Sequence, residues 1–554
     1  MSYLFLLVSV MWAGLTVYSF IDLLRFFQLE EYDNARFLAW AIKKWKRTFG
    51  HFPQLAALLV ILIASSFTAA FSTKLLIAVL CSTAALSMDF IQIRRANAVK
   101  IKPLVFTARA RRLVGLGIFI ILLQAGLLSL FLLQAGNNLR QPFFSPDAQV
   151  SQNFLTNTMS LMLLGQFVFL DIILANVLSF PIEKILQRYY IESARKVLAD
   201  VSPVVIGITG SYGKTSTKEI LGHILAARYE VYKTPKSYNT LMGICKVIRE
   251  ELKPGQRYFI VEMGAYKPGE IAKICSLVKP QYGILTAVGP QHLERFKTIE
   301  NVAKAKNELI LALRSRDGVA VFNGDDAVCM QLSNQAGVKV RRYGLMNAEL
   351  CDVFARKIVL SSEGTSFEMF VTETNEWYNV KTRLLGRHNV SNIMAAFLLA
   401  RECGVAVKEA IFAIATAAPF SHRLQLVKSE NNVLYIDDSY NSNPIGARMA
   451  LEVLGVYQNG RRILVTPGYA ELGAIQEAEH EKLGALAGEV CDYIILVGNE
   501  ARTAQIRAGA LRSKIDPGHI LCYNALSQVK EFFINFLKPG DMVLFENDLP
   551  DNYL

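Results

Sequence analysis

The spacing of apolar positions along this 554-residue chain changes near residue 200. Before it, five long runs at about 2–21, 54–73, 75–93, 113–139 and 154–180 approach or reach the roughly 20 apolar residues that cross a bilayer as a helix. The third is the shortest, uncharged only over 75–88 before Asp89, and is open to a re-entrant hairpin with its neighbour. Residues 182–200, IEKILQRYYIESARKVLAD, alternate at helical spacing and predict an amphipathic helix. Beyond it, short β-branched runs alternate with helical segments, the signature of parallel sheets with crossover helices. VVIGI (204–208), YFIVEM (258–263), YGILTAV (282–288), VLYID (433–437), RILVT (462–466), YIILVG (493–498) and MVLFE (542–546) read as strands. They predict two α/β units with a boundary near 417–423.

Charge orients the apolar third. Lysine and arginine resist translocation and collect in cytoplasmic loops. One inter-run loop carries Arg36, Lys43, Lys44, Lys46 and Arg47, and another carries Arg94, Arg95, Lys100, Lys102, Arg109, Arg111 and Arg112. The alternate loops hold only Lys74 and Arg140. Five crossings with the N-terminus outside then leave everything after about 181 in the cytoplasm, with ATP. The first run has no preceding basic residue and no small-residue cleavage site, so it reads as a retained anchor rather than a signal peptide. Asp171 falls inside the fifth run, where an ionisable side chain is costly; it is either functional or a paired aspartate joining helices. Hydrophobic residues make up 52% of the chain and mean hydropathy is +0.29, which the apolar third accounts for. The net charge of +12 is explained in large part by the two basic loops, and no nucleic-acid motif accompanies it. Eight cysteines without a CxxC pair argue against a zinc site or a disulfide framework.

The strongest chemical signal is GITGSYGKTSTKEIL (207–221), which follows a predicted strand and opens a predicted helix. Gly210 and Gly213 let backbone amides face phosphate oxygens, the helix start adds its positive dipole, Lys214 offsets phosphate charge, and the Thr215 hydroxyl can ligate magnesium. Ser211 and Ser216 belong to the same loop and helix start. Position 208 is isoleucine where the standard spacing has glycine. Glu262 ends one strand and His292 follows another, and the carboxyl ends of strands in an open parallel sheet line the ligand crevice.

Together these segments resemble the Mur ligase family, most closely its D-alanyl-D-alanine-adding (MurF-like) branch. The resemblance covers roughly 200–545 and rests on TGSYGKTSTKE, VEMGAYKPGEIAKICSLVKP, HLERFKTIENVAKAKNELI, LLGRHNVSNIMAA and IDDSYNSNP, in that order. It implies a central P-loop-type ATPase domain at 201–417 and a C-terminal Rossmann-like α/β domain at 418–554, after the transmembrane helical domain at 1–181 and the amphipathic linker at 182–200 that the apolar pattern predicts. By the same resemblance Lys214 would contact the β- and γ-phosphates, and Thr215 and Glu262 would hold one Mg2+. His292 and Lys306 would hold a second, with Lys306 carbamylated so that a cation becomes an oxygen donor. Asn389 would meet adenine, while Arg423 and Asp438 would reach the ATP from the last domain on closure.

The activity implied is ATP-dependent ligation of a carboxylate to an amine through an acyl-phosphate, in the bacterial cytoplasmic membrane and in cell-envelope or peptidoglycan-type precursor synthesis. Expected partners are a cell-envelope acid acceptor, lipid-linked ones included, an amino acid or dipeptide amine, and the lipid bilayer, with no nucleic acid. The chain departs from the family in three places. Membrane segments stand where the UDP-sugar domain would be. The asparagine-rich stretch after the P-loop helix is reduced to SYNTLMGI, retaining Asn239. The chain also ends FENDLPDNYL where the D-alanyl-D-alanine-adding enzymes carry a lysine-glycine-serine-arginine turn. A poly-γ-glutamate-synthase-like ligase and a noncatalytic nucleotide-gated membrane protein are the alternatives; the joint presence of Lys214, Glu262, His292 and Lys306 speaks against the latter.

Overall fold

A computed structural model describes residues 2–44, 104–138, 160–161, 163–235, 238–346, 348–361, 363–440, 442–498 and 500–547. The chain forms two compact units, Met1–Gln187 and Arg188–Leu554.

In the N-terminal unit, helices Ser2–Leu29, Asn34–Lys43 and Ala108–Asn138 and the first part of Val168–Val201 share one apolar cluster. Phe20, Leu24, Phe27 and Phe37 pack there with Leu113, Ile121 and Ile172. Asp33 caps the second helix by accepting from the Ala35 and Arg36 amides, both at 3.0 Å. Asp171 is buried and accepts from Gln124 Nε2 at 2.7 Å, so it joins two helices.

Among the described residues one segment, Ala108–Phe131, is long and apolar enough to cross a membrane, where five crossings were expected. The runs at 54–73 and 75–93 lie outside the described residues. The difference has a physical source at both ends of the unit. The first run continues into Asp22 and Arg25, which pair at 2.6 Å, and buries its aromatic residues against other helices. The last run continues, past Pro181, into the charged half of the single helix Val168–Val201, so the expected linker at 182–200 is part of that helix. Mutual packing is the alternative use of an apolar run, and periodicity does not distinguish the two. The outward face of Ala108–Phe131 is otherwise: Phe119, Leu122, Leu127, Leu130 and Phe131 are 55–66% exposed.

The second unit holds two sheets. Strands β1 (Val204–Thr209), β2 (Val231–Lys233), β3 (Tyr258–Glu262), β4 (Tyr282–Leu285), β5 (Val319–Asn323), β6 (Lys339–Gly344), β7 (Val353–Ser361), β8 (Gly364–Val371) and β9 (Glu376–Thr382) lie in the order β2-β3-β1-β4-β5-β6-β7-β8-β9. They are parallel as far as the β6–β7 pair and antiparallel from β7 to β9. Successive residues of β1 point to opposite faces: Ile206 and Ile208 meet the helices Lys214–Ala226 and Arg387–Glu402, and Val205 meets Leu241–Glu251 and Ile299–Leu313. Both faces are covered, which is why the inner strands are apolar without alternation.

Strands β10 (Gln425–Lys428), β11 (Leu434–Asp438), β12 (Arg462–Thr466), β13 (Tyr493–Val497), β14 (Ile520–Tyr523) and β15 (Met542–Glu546) form the second sheet, in the order β10-β11-β15-β12-β13-β14. It is parallel apart from β10. In the first sheet β1 is flanked by β3 and β4, so the chain leaves β1 and β4 at a point where strand order reverses. A crevice opens at such a point beyond the carboxyl ends.

Candidate functional site

The turn after β1 requires glycine twice. Gly210 has φ +151° and a Cβ there would lie 2.0 Å from Thr286 Oγ1; Gly213 has φ +77° and a Cβ would lie 2.4 Å from Asn392 Oδ1. These two residues swing the backbone so that helix Lys214–Ala226 begins at the crevice. The Ser211 hydroxyl is spent on the loop itself, bonding the Gly289 carbonyl at 3.0 Å, while Thr215 and the buried Ser216 sit in the first helical turn. Lys214 Nζ curls over the loop and donates to the Gly210 and Ser211 carbonyls at 2.7 and 3.2 Å. Burial pulls its ammonium down to about 8, against the opposing pull of Glu262 and with help from Arg423.

Glu262 ends β3 one strand away and is 2% exposed. Lys218, four residues beyond Lys214 and fully buried, donates to Glu262 Oε2 at 3.2 Å, and Asn239 Nδ2 donates to Oε1 at 3.2 Å. Burial alone would raise the Glu262 carboxyl. The ammonium groups of Lys218 and Lys214 and the Asn239 bond outweigh it, so the group sits below the ordinary carboxylate range. On helix Ile299–Leu313, Lys306 is 3% exposed, and burial together with Lys214 pushes its ammonium well below the usual lysine value, with Glu262, Glu270 and Glu308 only partly offsetting this. Its amine is thereby biased towards the neutral, nucleophilic form.

His292, at φ +56°, starts the short helix Leu293–Phe296 after β4. Burial lowers its imidazolium against the raising pull of the Glu471 carboxylate, and Lys214 and Lys306 add to the lowering. These mutual influences put Lys214, Glu262, His292 and Lys306 in one electrostatic neighbourhood. Among the described residues no three His, Cys, Asp or Glu side chains converge into a ready-made metal site.

From the second sheet, Arg423 stacks over Tyr440 at 4.4 Å and donates to its carbonyl at 3.1 Å. Its charge is felt by Lys214, by Asp438 and by His388, whose imidazolium burial depresses to about 4. Asn389 is 2% exposed and its amide donates to the Leu385 carbonyl at 2.9 Å, so its side chain anchors the start of helix Arg387–Glu402. Asp438 pairs in register with Glu546 on β15. Burial lifts Asp438 to about 6 and Glu546 well above the carboxylate range, the two acids sharing a site. Ser442 Oγ donates to Glu546 Oε1.

The model of the Mur ligase middle domain matches residues 208–400 and that of the Mur ligase glutamate ligase domain matches 422–546. The UDP-N-acetylmuramoyl-tripeptide--D-alanyl-D-alanine ligase of Escherichia coli (strain K12) is 33% identical over 57% of this chain and 70% of that protein. The chain belongs to the Mur ligase family. The ligase of the same name from Bacillus subtilis (strain 168) is 28% identical over 64% of the chain and 75% of its own length. Two solved structures are similar: MurF from Acinetobacter baumannii (27% identity, TM-score 0.58, 66% of this chain and 78% of that one) and MurF from Thermotoga maritima in complex with ADP (27%, 0.58, 65% and 80%). This Mur ligase is accordingly an ATP-dependent, ADP-forming amide ligase.

Several site residues escaped sequence reasoning. Lys218 stands inside the quoted TSTKE, and its i+4 spacing from Lys214 was the available signal. Glu471 lies in the loop after β12, and PGYAELG carries no metal or phosphate pattern. Tyr212, whose hydroxyl is buried without a partner among the described residues, and His388, whose Nδ1 is likewise unpartnered, are flanked by residues that drew attention first.

Two outcomes follow from the buried charges of this Mur ligase. Lys218→Met strands the Glu262 carboxylate and should cost about 3–5 kcal/mol in denaturant unfolding, whereas Lys218→Met with Glu262→Leu should recover most of it; an additive double mutant would contradict the pairing. Asp438 and Glu546 have folded pKa values above their unfolded ones, so the stability they contribute is complete at low pH and is lost as pH rises through about 6. Glu546→Gln should therefore flatten the fall in Tm between pH 5 and pH 8, by roughly 2–4 °C per kcal/mol removed. An unchanged slope would remove the shared-proton account.

Proposed function

We propose that this Mur ligase acts in peptidoglycan precursor synthesis, joining the carboxylate of a UDP-linked muramoyl peptide to the amine of a dipeptide of the D-alanyl-D-alanine kind. The relatives' own names supply both substrate classes. None of these relatives points to a lipid-linked acceptor or to poly-γ-glutamate, and neither is proposed. The observation that carries the reading is the gathering of Lys214, Glu262, His292 and Lys306 at the strand-order reversal, with Arg423 approaching from the second sheet.

The donor set fits ATP-borne magnesium. Mg2+ commonly keeps waters and takes one or two carboxylates plus substrate phosphates, and Glu262 is one ionised, oriented carboxylate beside a phosphate loop. Thr215 and Glu262 would hold that ion, and His292 with a carbamylated Lys306 would hold a second; bound there, the ions would neutralise phosphate charge. A neutral, buried Lys306 amine is the form that adds CO2. Lys214 and Arg423 place positive charge where a carboxylate oxygen must approach an anionic γ-phosphate. The acceptor carboxylate forms an acyl-phosphate as ADP leaves, and the incoming amine then displaces phosphate through a tetrahedral intermediate. The loop amides and the covering second domain keep water from that intermediate.

Purified full-length protein given ATP, Mg2+, UDP-muramoyl tripeptide and D-alanyl-D-alanine should yield the pentapeptide by mass spectrometry, with stoichiometric ADP. Lys214→Ala should abolish product, and Lys306→Ala should fall at least 100-fold and regain part of its rate with added short-chain carboxylates. Product from Lys214→Ala at the wild-type rate would sink the reading.

The N-terminal unit is proposed to hold the enzyme at the bacterial cytoplasmic membrane, with the catalytic unit in the cytoplasm. Its support is the exposed apolar face of Ala108–Phe131, an expensive surface in water at about 25 cal/mol per Å2. The chain should stay with membranes after alkaline carbonate washing. In a variant whose only cysteine is the exposed Cys522, an impermeant maleimide should label only opened cells. Release by carbonate, or labelling of intact cells, would contradict the placement.

A further inference from the structure

The loop 467–473 follows β12 at the carboxyl edge of the second sheet, and its sequence PGYAELG holds it by both ends. The Gly468 amide donates to Thr466 Oγ1 at 3.0 Å, and the Gly468 carbonyl accepts from Asn547 Nδ2 at 2.6 Å. The Tyr469 amide donates to His480 Nε2 at 2.8 Å, and Tyr469 and Leu472 are each 2% exposed. Glu471 lies between these buried side chains at φ +61°, a left-handed conformation that a glutamate adopts only when its surroundings impose it.

That conformation sends Glu471 across to the first sheet. Its carbonyl accepts from the Glu294 amide at 3.1 Å, its Oε1 pairs with Arg295 Nη2 at 2.8 Å, and its Oε2 meets His292 Nδ1. Arg295 is itself stacked over Tyr266 at 4.0 Å, and Tyr266 sets its edge against the His292 ring at 4.8 Å. Arg295 therefore fixes one carboxylate oxygen, which leaves the other aimed at the imidazole. His292 is also at positive φ, so both partners are held in conformations that suit this contact.

We propose that Glu471 is a positioning residue for His292: by accepting a hydrogen bond from Nδ1–H of the imidazole it leaves Nε2 as the electron-pair donor, so the second cation position is complete only when the C-terminal sheet has closed on the central one. This inference rests on the reading of His292 as a metal ligand. Its chemistry is general: a histidine that ligates a cation through one nitrogen donates a hydrogen bond from its other ring N–H to a carboxylate, which fixes tautomer and ring orientation. Here the carboxylate belongs to the other sheet's domain, so the same hydrogen bond reports closure to the cation site. Phosphoryl transfer would then wait for the domain that also brings Arg423.

The test uses full-length protein with Mn2+ as the cation and a non-hydrolysable ATP analogue, free Mn2+ being counted by electron paramagnetic resonance. Wild type should bind two Mn2+ per nucleotide. Glu471→Ala should weaken the second ion about 10–100-fold and leave the first within about twofold. Glu471→Gln should recover most of that loss, because an amide oxygen still accepts from Nδ1–H, and it should melt close to wild type. In turnover, Glu471→Ala should lower kcat while leaving KM for ATP nearly unchanged. Unchanged Mn2+ binding in Glu471→Ala alongside a lost second ion in His292→Ala would overturn the role of Glu471 alone. Two undiminished ions in His292→Ala would overturn the reading of His292 itself, and Glu471 with it.

Discussion

The site is organised around one buried contact, the ammonium of Lys218 against the carboxylate of Glu262. It ties helix Lys214–Ala226, which follows β1, to the end of the neighbouring strand β3. A carboxylate this deep would ordinarily take up a proton. Lys218, supported by Lys214 and Asn239, keeps it charged and directed at the crevice. Without that anion the remaining groups would be a cluster of cations with little reason to fold together: Lys214, Lys306 and Arg423 each disfavour at least one neighbour's positive charge. Depressed lysines and an ionised glutamate are thus one arrangement, in which a polyanionic substrate supplies the missing negative charge.

The two sheets divide the labour. The central sheet offers rigid strand ends, with both faces buried, and so fixes Glu262 and the phosphate loop by packing. The C-terminal sheet contributes residues on loops, Arg423 and Glu471. Groups that handle phosphate belong on the rigid part, because small displacements there cost rate directly. Groups that exclude water or admit the amine can arrive later.

Much of this was legible in the chain before any coordinates. All seven strands read from β-branched runs are present, because buried parallel strands carry an undiluted apolar signal. The unread strands include β6, KVRRYG, and the antiparallel extension β7 to β9, where Arg356 and Lys357 pair with Glu368, but also β5, VAVFN, which is apolar and buried. The phosphate loop and Glu262 were legible because strand-turn-helix order and strand-end position are local properties. Glu471 was not, since its role depends on a contact 179 residues away in sequence. The membrane reading overreached for a related reason: hydrophobicity along a helix does not say whether lipid or another helix covers it. Phe20 and Leu24 are covered by protein, whereas Phe119 and Phe131 are not.

The carboxyl edge of the C-terminal sheet carries a charge arrangement of its own. There β15 closes with Glu546, buried beside Asp438. Burial favours the protonated form of both acids, so this edge carries less negative charge than two ionised carboxylates would.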